Sequence, residues 1–322
     1  MKLALFVANL YLWLVNIFKK HPNKITNRLR RWLYKLFFQH IRNKVPPKLY
    51  PTLLIEWYWY KTRGKNLDLN NPLTISEKLQ WLKLNDISPL KTRLADKYLV
   101  REWVSNIIGK EYIVSLLGAW DKYDDIDFSS LPQQFVLKTN HACATNIIIT
   151  DKNKINHDKN RKKFSKWLNM NYAFDNGFEL QYKNIPRKII AEKYLPSDSN
   201  GRFYDYRFFC CNGNVVFYRI TQYFHSDIKG YGFDLEKKLI PMGYESTDLD
   251  HILRINETAD IDTMLKLSET LAQGFLFVRV DWYEVEGKPY FGEMTFTPKS
   301  GILDWGDALD RKLGDELTLP IG

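Results

Sequence analysis

The densest group of residues able to do chemistry lies near the C-terminus, in two apolar runs separated by the turn Glu286-Gly287. Residues two apart in a strand share a face, which pairs Arg279 with Asp281 and Glu293 with Thr295. A tight hairpin brings the two pairs together. Two carboxylates and a neutral oxygen beside an arginine suit Mg²⁺ that bridges nucleotide phosphates. The alternative is an ordinary hairpin with a ladder of Arg, Asp and Glu ion pairs.

A second candidate site follows the run Phe135-Val-Leu-Lys138. A loop of small residues, Ala142-Cys143-Ala144, separates this run from Asn146–Ile149 and predicts a second hairpin. The lysine offers a point positive charge for phosphate oxygens, and the loop amides offer further donors. Many hairpins end in a lysine, so the pattern is also compatible with an ordinary turn.

The third candidate is Ile189-Ile-Ala-Glu192-Lys193, a run that ends before Pro196. An extended segment presents alternating backbone donors and acceptors to an adenine edge, and Glu192 can accept a hydrogen bond from its amino group. An edge strand with a solvated Glu-Lys pair explains the same residues.

The elements that must position these groups change in kind along the chain. Thr74 and Glu77 have capping-box spacing, and a second helix is predicted over about Lys91–Ile107, before Gly109. Strand-like runs then dominate, and helices are predicted near Lys159–Leu168 and Asp260–Gln273. Helices first and hairpin-rich sheets afterwards predict an α+β protein. The strand-like runs are Phe135–Leu137, Ile147–Ile149, Ile189–Glu192, Tyr206–Cys211, Val215–Ile220, Phe277–Trp282 and Tyr290–Phe296.

The net charge of +10 is concentrated at one end of the 322 residues. Residues 1–65 hold fourteen Lys or Arg and one acidic residue, a net of +13, so residues 66–322 carry −3. A nucleic-acid channel would place positive charge on the body, whereas this distribution favours an anionic membrane surface and no nucleic-acid partner. The three cysteines have neither zinc nor disulfide spacing, which indicates a reducing compartment.

The N-terminal segment, residues 1–65, is predicted to be helical and membrane-associating. Residues 3–18 are apolar but shorter than the ~20 residues of a full span, so a shallow anchor and a tilted span both stay open. Apolar residues at helical spacing in 25–41 alternate with basic ones, which predicts an amphipathic helix on the membrane or on the body. The proline-containing stretch 45–51 is predicted as a linker. If the apolar stretch inserts, the basic cluster that follows it should stay on the cytoplasmic side and keep the body at the cytoplasmic face of the inner membrane.

Taken in order, these motifs resemble the ATP-grasp superfamily. Four further segments are similar to its TupA-like branch, found in cell-surface polysaccharide and teichuronopeptide synthesis, and the resemblance covers about 73–309. The segments are Ser76–Trp81, Ala95–Tyr98, Phe135–His141 and Gly292–Phe296. The resemblance implies two α+β lobes that hold ATP, with residues 66–322 divided into a helical part (73–134), a small lobe (135–190) and a C-terminal lobe (191–310).

The resemblance also implies a role for each site residue. In the nucleotide site, Lys138 contacts phosphates, Glu192 the adenine amino group and Asp205 the ribose, and the backbone of Lys193–Leu195 forms the hinge. Asp281, Glu293 and Thr295 hold Mg²⁺, and Arg279 stabilises charge on the transferred group. The remaining residues complete the site: Arg207 and Arg219 neutralise phosphate or an acidic substrate, Lys97 and Arg101 are candidates for the first ATP-grasp lysine, and His141 contacts phosphate or substrate.

The implied function is an ATP-dependent carboxylate–amine ligase that works through an acyl-phosphate on a glycan or lipid-linked glycan precursor. Two departures from the superfamily pattern favour an alternative, a degenerate protein that binds nucleotide without turnover. Ala142-Cys143-Ala144 replaces a glycine-rich phosphate loop, and Thr295 replaces an asparagine. A glycosyltransferase of the same pathway is a further alternative, although there is no clear DxD motif at a strand end and Asp124-Asp125 and Asp248-Leu-Asp250 are weak mimics.

Overall fold

A computed structural model describes residues 67–320 except 176, 225–226 and 241–248, together with residues 55, 58, 59 and 62–64. The chain divides into two units, Met1–Leu67 and Asp68–Gly322. The predicted apolar stretch, amphipathic helix and linker of the first unit lie outside the described residues. Within the described residues, no helix combines the length and the apolar character needed to cross a membrane.

Three helices open the second unit: α1 (Ile75–Asn85), α2 (Pro89–Ala95) and α3 (Val100–Ile108). The capping box at α1 is confirmed, since Glu77 N–H donates to Thr74 Oγ1 and Glu77 Oε2 accepts from Thr74 N–H. The single helix predicted over 91–107 is wrong. Asp96 interrupts it, because its carboxylate accepts the backbone N–H of Tyr98 at 2.8 Å and so competes with the helical hydrogen bonds.

The smaller sheet has four antiparallel strands in the order β1-β4-β2-β3. They are β1 (Leu116–Trp120), β2 (Phe135–Thr139), β3 (Asn146–Ile149) and β4 (Ile189–Lys193). Two helices, α4 (His157–Leu168) and α5 (Tyr172–Asp175), lie between β3 and β4. Phe164 of α4 is fully buried with Phe135, Leu137 and Ile189, which packs α4 against the sheet. The predicted lobe boundary at 190/191 falls within β4.

The larger sheet has six antiparallel strands in the order β10-β9-β5-β6-β7-β8. They are β5 (Arg202–Cys211), β6 (Asn214–Phe224), β7 (Asp227–Phe233), β8 (Leu239–Ile240), β9 (Phe277–Val285) and β10 (Lys288–Thr295). The predicted turns at Asn212-Gly213 and Glu286-Gly287 are confirmed, and all four residues have positive φ, as two-residue hairpins that follow strand twist require.

The two faces of the larger sheet are covered differently. Apolar residues of α3, α6 (Leu249–Thr258) and α7 (Ile261–Ala272) fill one face with side chains such as Phe208 and Val280. On the other face, α1 and α8 (Asp307–Glu316) pack only against one end, around Phe209 and Phe217. The rest of that face carries charged side chains. The strand alternation therefore leaves a polar surface in the middle of an otherwise apolar sheet.

Candidate functional site

The β9–β10 hairpin places two acidic side chains side by side. Asp281 is the register partner of Glu293, and Arg279 is the partner of Thr295. This pairing depends on a one-residue slip at Gly292, because Phe291 pairs with Trp282 and an uninterrupted ladder would set Glu293 opposite Val280. Since a slip by one residue exchanges the faces of a strand, the bulge turns Glu293 toward Asp281.

Gly292 leaves room for the bulge. A Cβ built at this position would lie 3.0 Å from the backbone oxygen of Asp281 and 3.2 Å from the ring of Tyr283. A larger side chain would have to push one of these groups aside. The glycine that precedes Glu293 is therefore a steric requirement for the arrangement of the two carboxylates.

A line of alternating charges crosses the polar face. Arg279 donates to both oxygens of Asp281, to Glu293 Oε1 at 3.2 Å and to Thr295 Oγ1 at 3.1 Å. At one end Lys97 Nζ lies 3.2 Å from Glu293 Oε2. At the other end Arg207 Nε lies 3.9 Å from Asp281 Oδ2, and its Nη2 donates to Asp205 at 2.6 Å. The order is Lys97, Glu293, Arg279, Asp281, Arg207 and Asp205.

The two central carboxylates are held differently. Burial disfavours the charge on Glu293, but Lys97 and then Arg279 outweigh it and lower the pKa of Glu293 to about 2. Burial raises the pKa of Asp281, and the nearby Asp205 and Glu293 add to that rise against the opposing effect of Arg279. Glu293 is therefore ionised at neutral pH, and Asp281 is stabilised by any added positive charge.

The smaller sheet contributes a compact charge triad. Lys138 Nζ lies 2.6 Å from Glu192 Oε2, and Arg101 Nη1 lies 2.8 Å from Glu192 Oε1. Lys138 and Glu192 come from adjacent strands, in which Val136 is the register partner of Glu192. Arg101 reaches them from α3 and also donates to the carbonyl of Val114. Glu192, which was predicted to accept a hydrogen bond from the adenine amino group, thus forms ion pairs with both Lys138 and Arg101.

Lys97 connects the sheets. Its backbone N–H donates to Asn140 O at 3.0 Å, and its ammonium donates to Ala142 O at 3.1 Å in the loop between β2 and β3. The same ammonium faces Glu293 of the larger sheet. The break between α2 and α3 makes this possible, because it turns Lys97 out of the helical register. Of the two candidates for the first lysine, Lys97 faces the predicted metal ligands and Arg101 faces Glu192.

The two central strands of the larger sheet, β5 and β6, add a pair of arginines. Arg207 is the register partner of Arg219, and Arg207 also receives the support of Tyr223, whose hydroxyl accepts from it at 2.8 Å. Gly230 lies beneath Arg219, since a Cβ there would be 2.0 Å from Arg219 Nη2. Two like charges directly opposite each other are unfavourable without nearby anions, and Asp205 pairs with Arg207 at 2.6 Å.

The remaining predicted residues lie at the margin of this site. His141 is 2% exposed, and burial together with the nearby Arg187 lowers its pKa to about 4, so the ring is neutral near pH 7. Lys193 has an exposed side chain, and its backbone N–H donates to Ser115 O at 2.9 Å. Leu195 is half-buried beyond the end of β4. Among the described contacts, no hydrogen bond or ion pair joins His141 to the charged line, although the charge of Lys97 also lowers its pKa.

A buried polar cluster next to the loop after β10 was not predicted from the sequence. Lys83 is 3% exposed and donates to Gln80 Oε1, Gly177 O and Ser300 O, while Gln80 donates to Ser300 O and Gly301 O. The carboxylate of Glu179 accepts from Thr297 at 2.6 Å. This cluster holds the loop that follows Thr295, in which Lys299 and Ser300 have φ values of 47° and 57°. Of this cluster, Lys83 and Glu179 lay in none of the motifs noted from the sequence.

The donor set fits a magnesium-bound polyphosphate. Asp281, Glu293 and Thr295 supply hard oxygens, and Mg²⁺ commonly takes one or two carboxylates and completes its shell with phosphates and water. The described residues contain no group of three or more His, Cys, Asp or Glu side chains gathered as metal ligands. The charged line and the charge triad together contain five cationic and four acidic side chains, and this excess of positive charge suits an anionic ligand. The cations are Lys97, Arg101, Lys138, Arg207 and Arg279, and the carboxylates are Glu192, Asp205, Asp281 and Glu293.

Two lobes of antiparallel sheet and helix, with facing charged residues, define the ATP-grasp fold. The model of the TupA-like ATP-grasp family matches residues 77–318. The chain belongs to this family. The resemblance inferred from the motifs and the predicted fold class are thereby confirmed.

The chain is also similar to solved structures, among them three of low sequence identity. D-alanine–D-alanine ligase from Bacillus anthracis is 15% identical, with 69% of this chain and 62% of the ligase covered and a TM-score of 0.34. The ATP-grasp ligase PsnB with its minimal precursor is 11% identical, with coverage of 75% and 67% and a TM-score of 0.38. Cdc123 from Schizosaccharomyces pombe is 11% identical, with coverage of 65% and 85% and a TM-score of 0.38. The chain thus spans less than two thirds of the Bacillus ligase. A comparison with curated proteins gives no match.

Proposed function

We propose that this protein is an ATP-dependent carboxylate–amine ligase that uses Mg·ATP. The observation that carries the proposal is the contact of Lys97 with both lobes, through Ala142 O and Glu293. This contact puts a cation between a loop able to cover phosphates and a carboxylate able to hold Mg²⁺. A nucleoside triphosphate bound with Mg²⁺ needs both groups within its reach, the cation for its phosphates and the carboxylate for the metal.

Each residue has a chemical part in this proposal. Lys138 and Lys97 would neutralise phosphate oxygens, and Asp281, Glu293 and Thr295 would hold the metal. Arg279 is 8% exposed and already bonded to both carboxylates, so it is fixed where charge develops during phosphoryl transfer. Bound ATP supplies a phosphoryl group that activates the substrate carboxylate, and an amine then displaces phosphate. The Arg207 and Arg219 pair would hold an acidic group of the substrate.

The substrate class follows from the family resemblance and the charge distribution. We propose a glycan or lipid-linked glycan precursor of a cell-surface polysaccharide, with the protein at the cytoplasmic face of the membrane. The net charge of +13 in residues 1–65 against −3 in the remainder supports the membrane location. The same distribution gives no support to a nucleic-acid partner.

Nucleotide binding without turnover is a second candidate, and one observation favours it. Ala144 in the loop above Lys138 has a φ of 55°, a conformation that glycine adopts at lower cost. A strained loop of this kind would close over phosphates less readily than a glycine-rich one. The two candidates differ in whether ATP is cleaved.

The experiment is a calorimetric titration of Mg·ATP into the wild type, Glu293→Ala and the exposed control Glu102→Ala. Binding by the wild type and the control, with loss in Glu293→Ala, is the expected result. Release of ADP and phosphate is then assayed with glycan uronic acids and amino acids. Binding that ignores Glu293 would contradict the ATP site, and binding without any ATP cleavage would favour the second candidate.

A further inference from the structure

One helix of the smaller lobe carries a stripe of uncompensated positive charge. Lys159, Lys162, Lys163 and Lys166 of α4 recur at i, i+3, i+4 and i+7, a spacing that places them on one side of the helix. All four are exposed. The buried residues of α4, including Phe164, occupy a different side. We call these four residues the lysine stripe.

Nearby acidic residues do not neutralise the lysine stripe. Asp158 and Asp124 both pair with Arg161, at 2.7 and 2.6 Å, and Asp151 pairs with Lys154. In the part of the chain that the structure describes, none of the four lysines forms an ion pair. These three carboxylates therefore pair with Arg161 or Lys154, and they do not neutralise the lysine stripe.

The charge of this region contrasts with that of the rest of the body. Residues 151–188 hold ten Lys or Arg and four Asp or Glu, a net of +6, although residues 66–322 together carry −3. Charges added for solubility alone would be interspersed with acidic ones. Here the positive charge is gathered on one exposed helix side of an otherwise acidic body.

The shape of the stripe determines which anion it fits. Seven residues of helix advance about 10 Å, so the four ammonium groups form a short, convex row with no enclosing wall. Such a row cannot surround a small phosphate ligand, but flexible lysines can all reach a flat anionic surface. The basic and apolar N-terminal segment of the same chain predicts that a membrane surface is nearby.

We propose that the lysine stripe is a second membrane contact, which holds the smaller lobe against acidic lipid headgroups independently of residues 1–65. The proposal does not depend on the ligase assignment. Each lysine near an acidic bilayer strengthens binding by up to about fivefold, so four together have a measurable effect even in the full chain.

The test uses the full-length protein with the four stripe lysines changed to glutamine. A control carries the same number of changes at scattered, exposed positions of the body, namely Lys110→Gln, Lys266→Gln, Lys288→Gln and Lys312→Gln. Both variants have the same net charge. Binding is measured by co-sedimentation with vesicles of phosphatidylcholine containing 30% phosphatidylglycerol, and circular dichroism checks that both variants are folded.

We expect the stripe variant to bind these vesicles at least tenfold more weakly than the wild type and the scattered control to stay within twofold. Binding to pure phosphatidylcholine vesicles should not separate the three proteins. Equal losses in both variants would show a bulk charge effect and overturn the proposal, as would wild-type binding by the stripe variant. Binding of the three proteins to polygalacturonate, an acidic polysaccharide, is measured in parallel. If the stripe variant loses affinity for polygalacturonate but not for the acidic vesicles, the membrane proposal is overturned and the stripe is assigned to glycan binding.

Discussion

Asp281 and Glu293 face each other across β9 and β10 because the ladder slips by one residue at Gly292. The turn at Glu286-Gly287 alone would set the strands so that these carboxylates point to opposite faces. A one-residue irregularity therefore creates the acidic pair on which the proposed metal site depends.

Replacing Gly292 should disturb this pair directly. In Gly292→Val the new side chain meets Asp281 O and the Tyr283 ring, and we expect a loss of about 1–3 kcal/mol in the free energy of unfolding. The gain in nucleotide affinity on adding Mg²⁺ should disappear as well. Urea denaturation and nucleotide titrations with and without Mg²⁺ measure the two effects. A variant that keeps its Mg²⁺ dependence would contradict the role assigned to the bulge.

Lys97→Met should weaken Mg·ATP binding by about tenfold or more, which corresponds to about 1.4 kcal/mol. Methionine keeps the apolar stem but removes the charge that offsets the repulsion between Glu293 and phosphate. The control is Arg93→Met, which removes an exposed cation that pairs with Glu102. Calorimetric titration measures the affinity of each variant for Mg·ATP. Equal affinities for the two variants would exclude a direct role for Lys97.

Gly230→Ala should act through Arg219. The Cβ would collide with the end of a flexible side chain, so we expect a stability change below about 1 kcal/mol and a displaced guanidinium. The proposed ligase activity should then fall by about as much as we expect for Arg219→Ala. In the double variant, Gly230→Ala should have no further effect, because Arg219 is already absent. Additive losses in activity would show that Gly230 matters for another reason.

The buried polar cluster next to the loop after β10 should fix that loop, Thr297–Gly301. Lys83→Met removes one donor from Gly177 O and one from Ser300 O, which Gln80 also contacts, and we expect a cost of about 2–4 kcal/mol and faster amide exchange in residues 297–302. Lys78→Met is the matched control, since Lys78 on the same helix donates to Gly314 O and Leu317 O. In the Lys78→Met control, amide hydrogen exchange should increase near residues 314–317 instead. The same exchange pattern in both variants would refute a specific hold on the loop.

His141 should make the fold sensitive to mild acid. Its pKa is lowered to about 4 by burial, below the value of about 6.5 in an unfolded chain, so the folded state prefers the neutral ring. The stabilisation is present above pH 6.5 and is lost as the pH falls toward 4, with a full effect of about 3 kcal/mol. His141→Gln should flatten this part of the stability profile measured by urea denaturation. An unchanged slope would show that other groups cause the acid sensitivity.

Much of the sheet structure was predictable because strand periodicity and turn residues are local signals. The seven strand-like runs all lie in strands, although β10 ends at Thr295 rather than Phe296, and both glycine turns form hairpins. The capping box at Thr74 was likewise visible in four residues. The strands β1, β7 and β8 were missed, since Leu116–Trp120 and the glycine-containing Asp227–Phe233 lack a clear alternating pattern.

The arrangement of the site was only partly predictable. Sequence spacing put Asp281 and Glu293 on a hairpin, but the slip at Gly292 that brings them to one face comes from packing between strands. The break at Asp96, which frees Lys97, depends on a side-chain bond to the backbone and on Asn140 at 2.8 Å, 44 positions along the chain. Glu179 and Lys83 carried no local signal, because a buried polar pair becomes apparent only when its acceptors are assembled.

Lys97 is attached to the loop between β2 and β3 through both its backbone and its ammonium group. If that loop moved away from the larger sheet while keeping these contacts, the ammonium group of Lys97 would move away from Glu293. The acidity of Glu293, a proposed metal ligand in one lobe, would thus be coupled to the position of a loop in the other. Entry and departure of the nucleotide would then alter the affinity for the cation without a separate sensor.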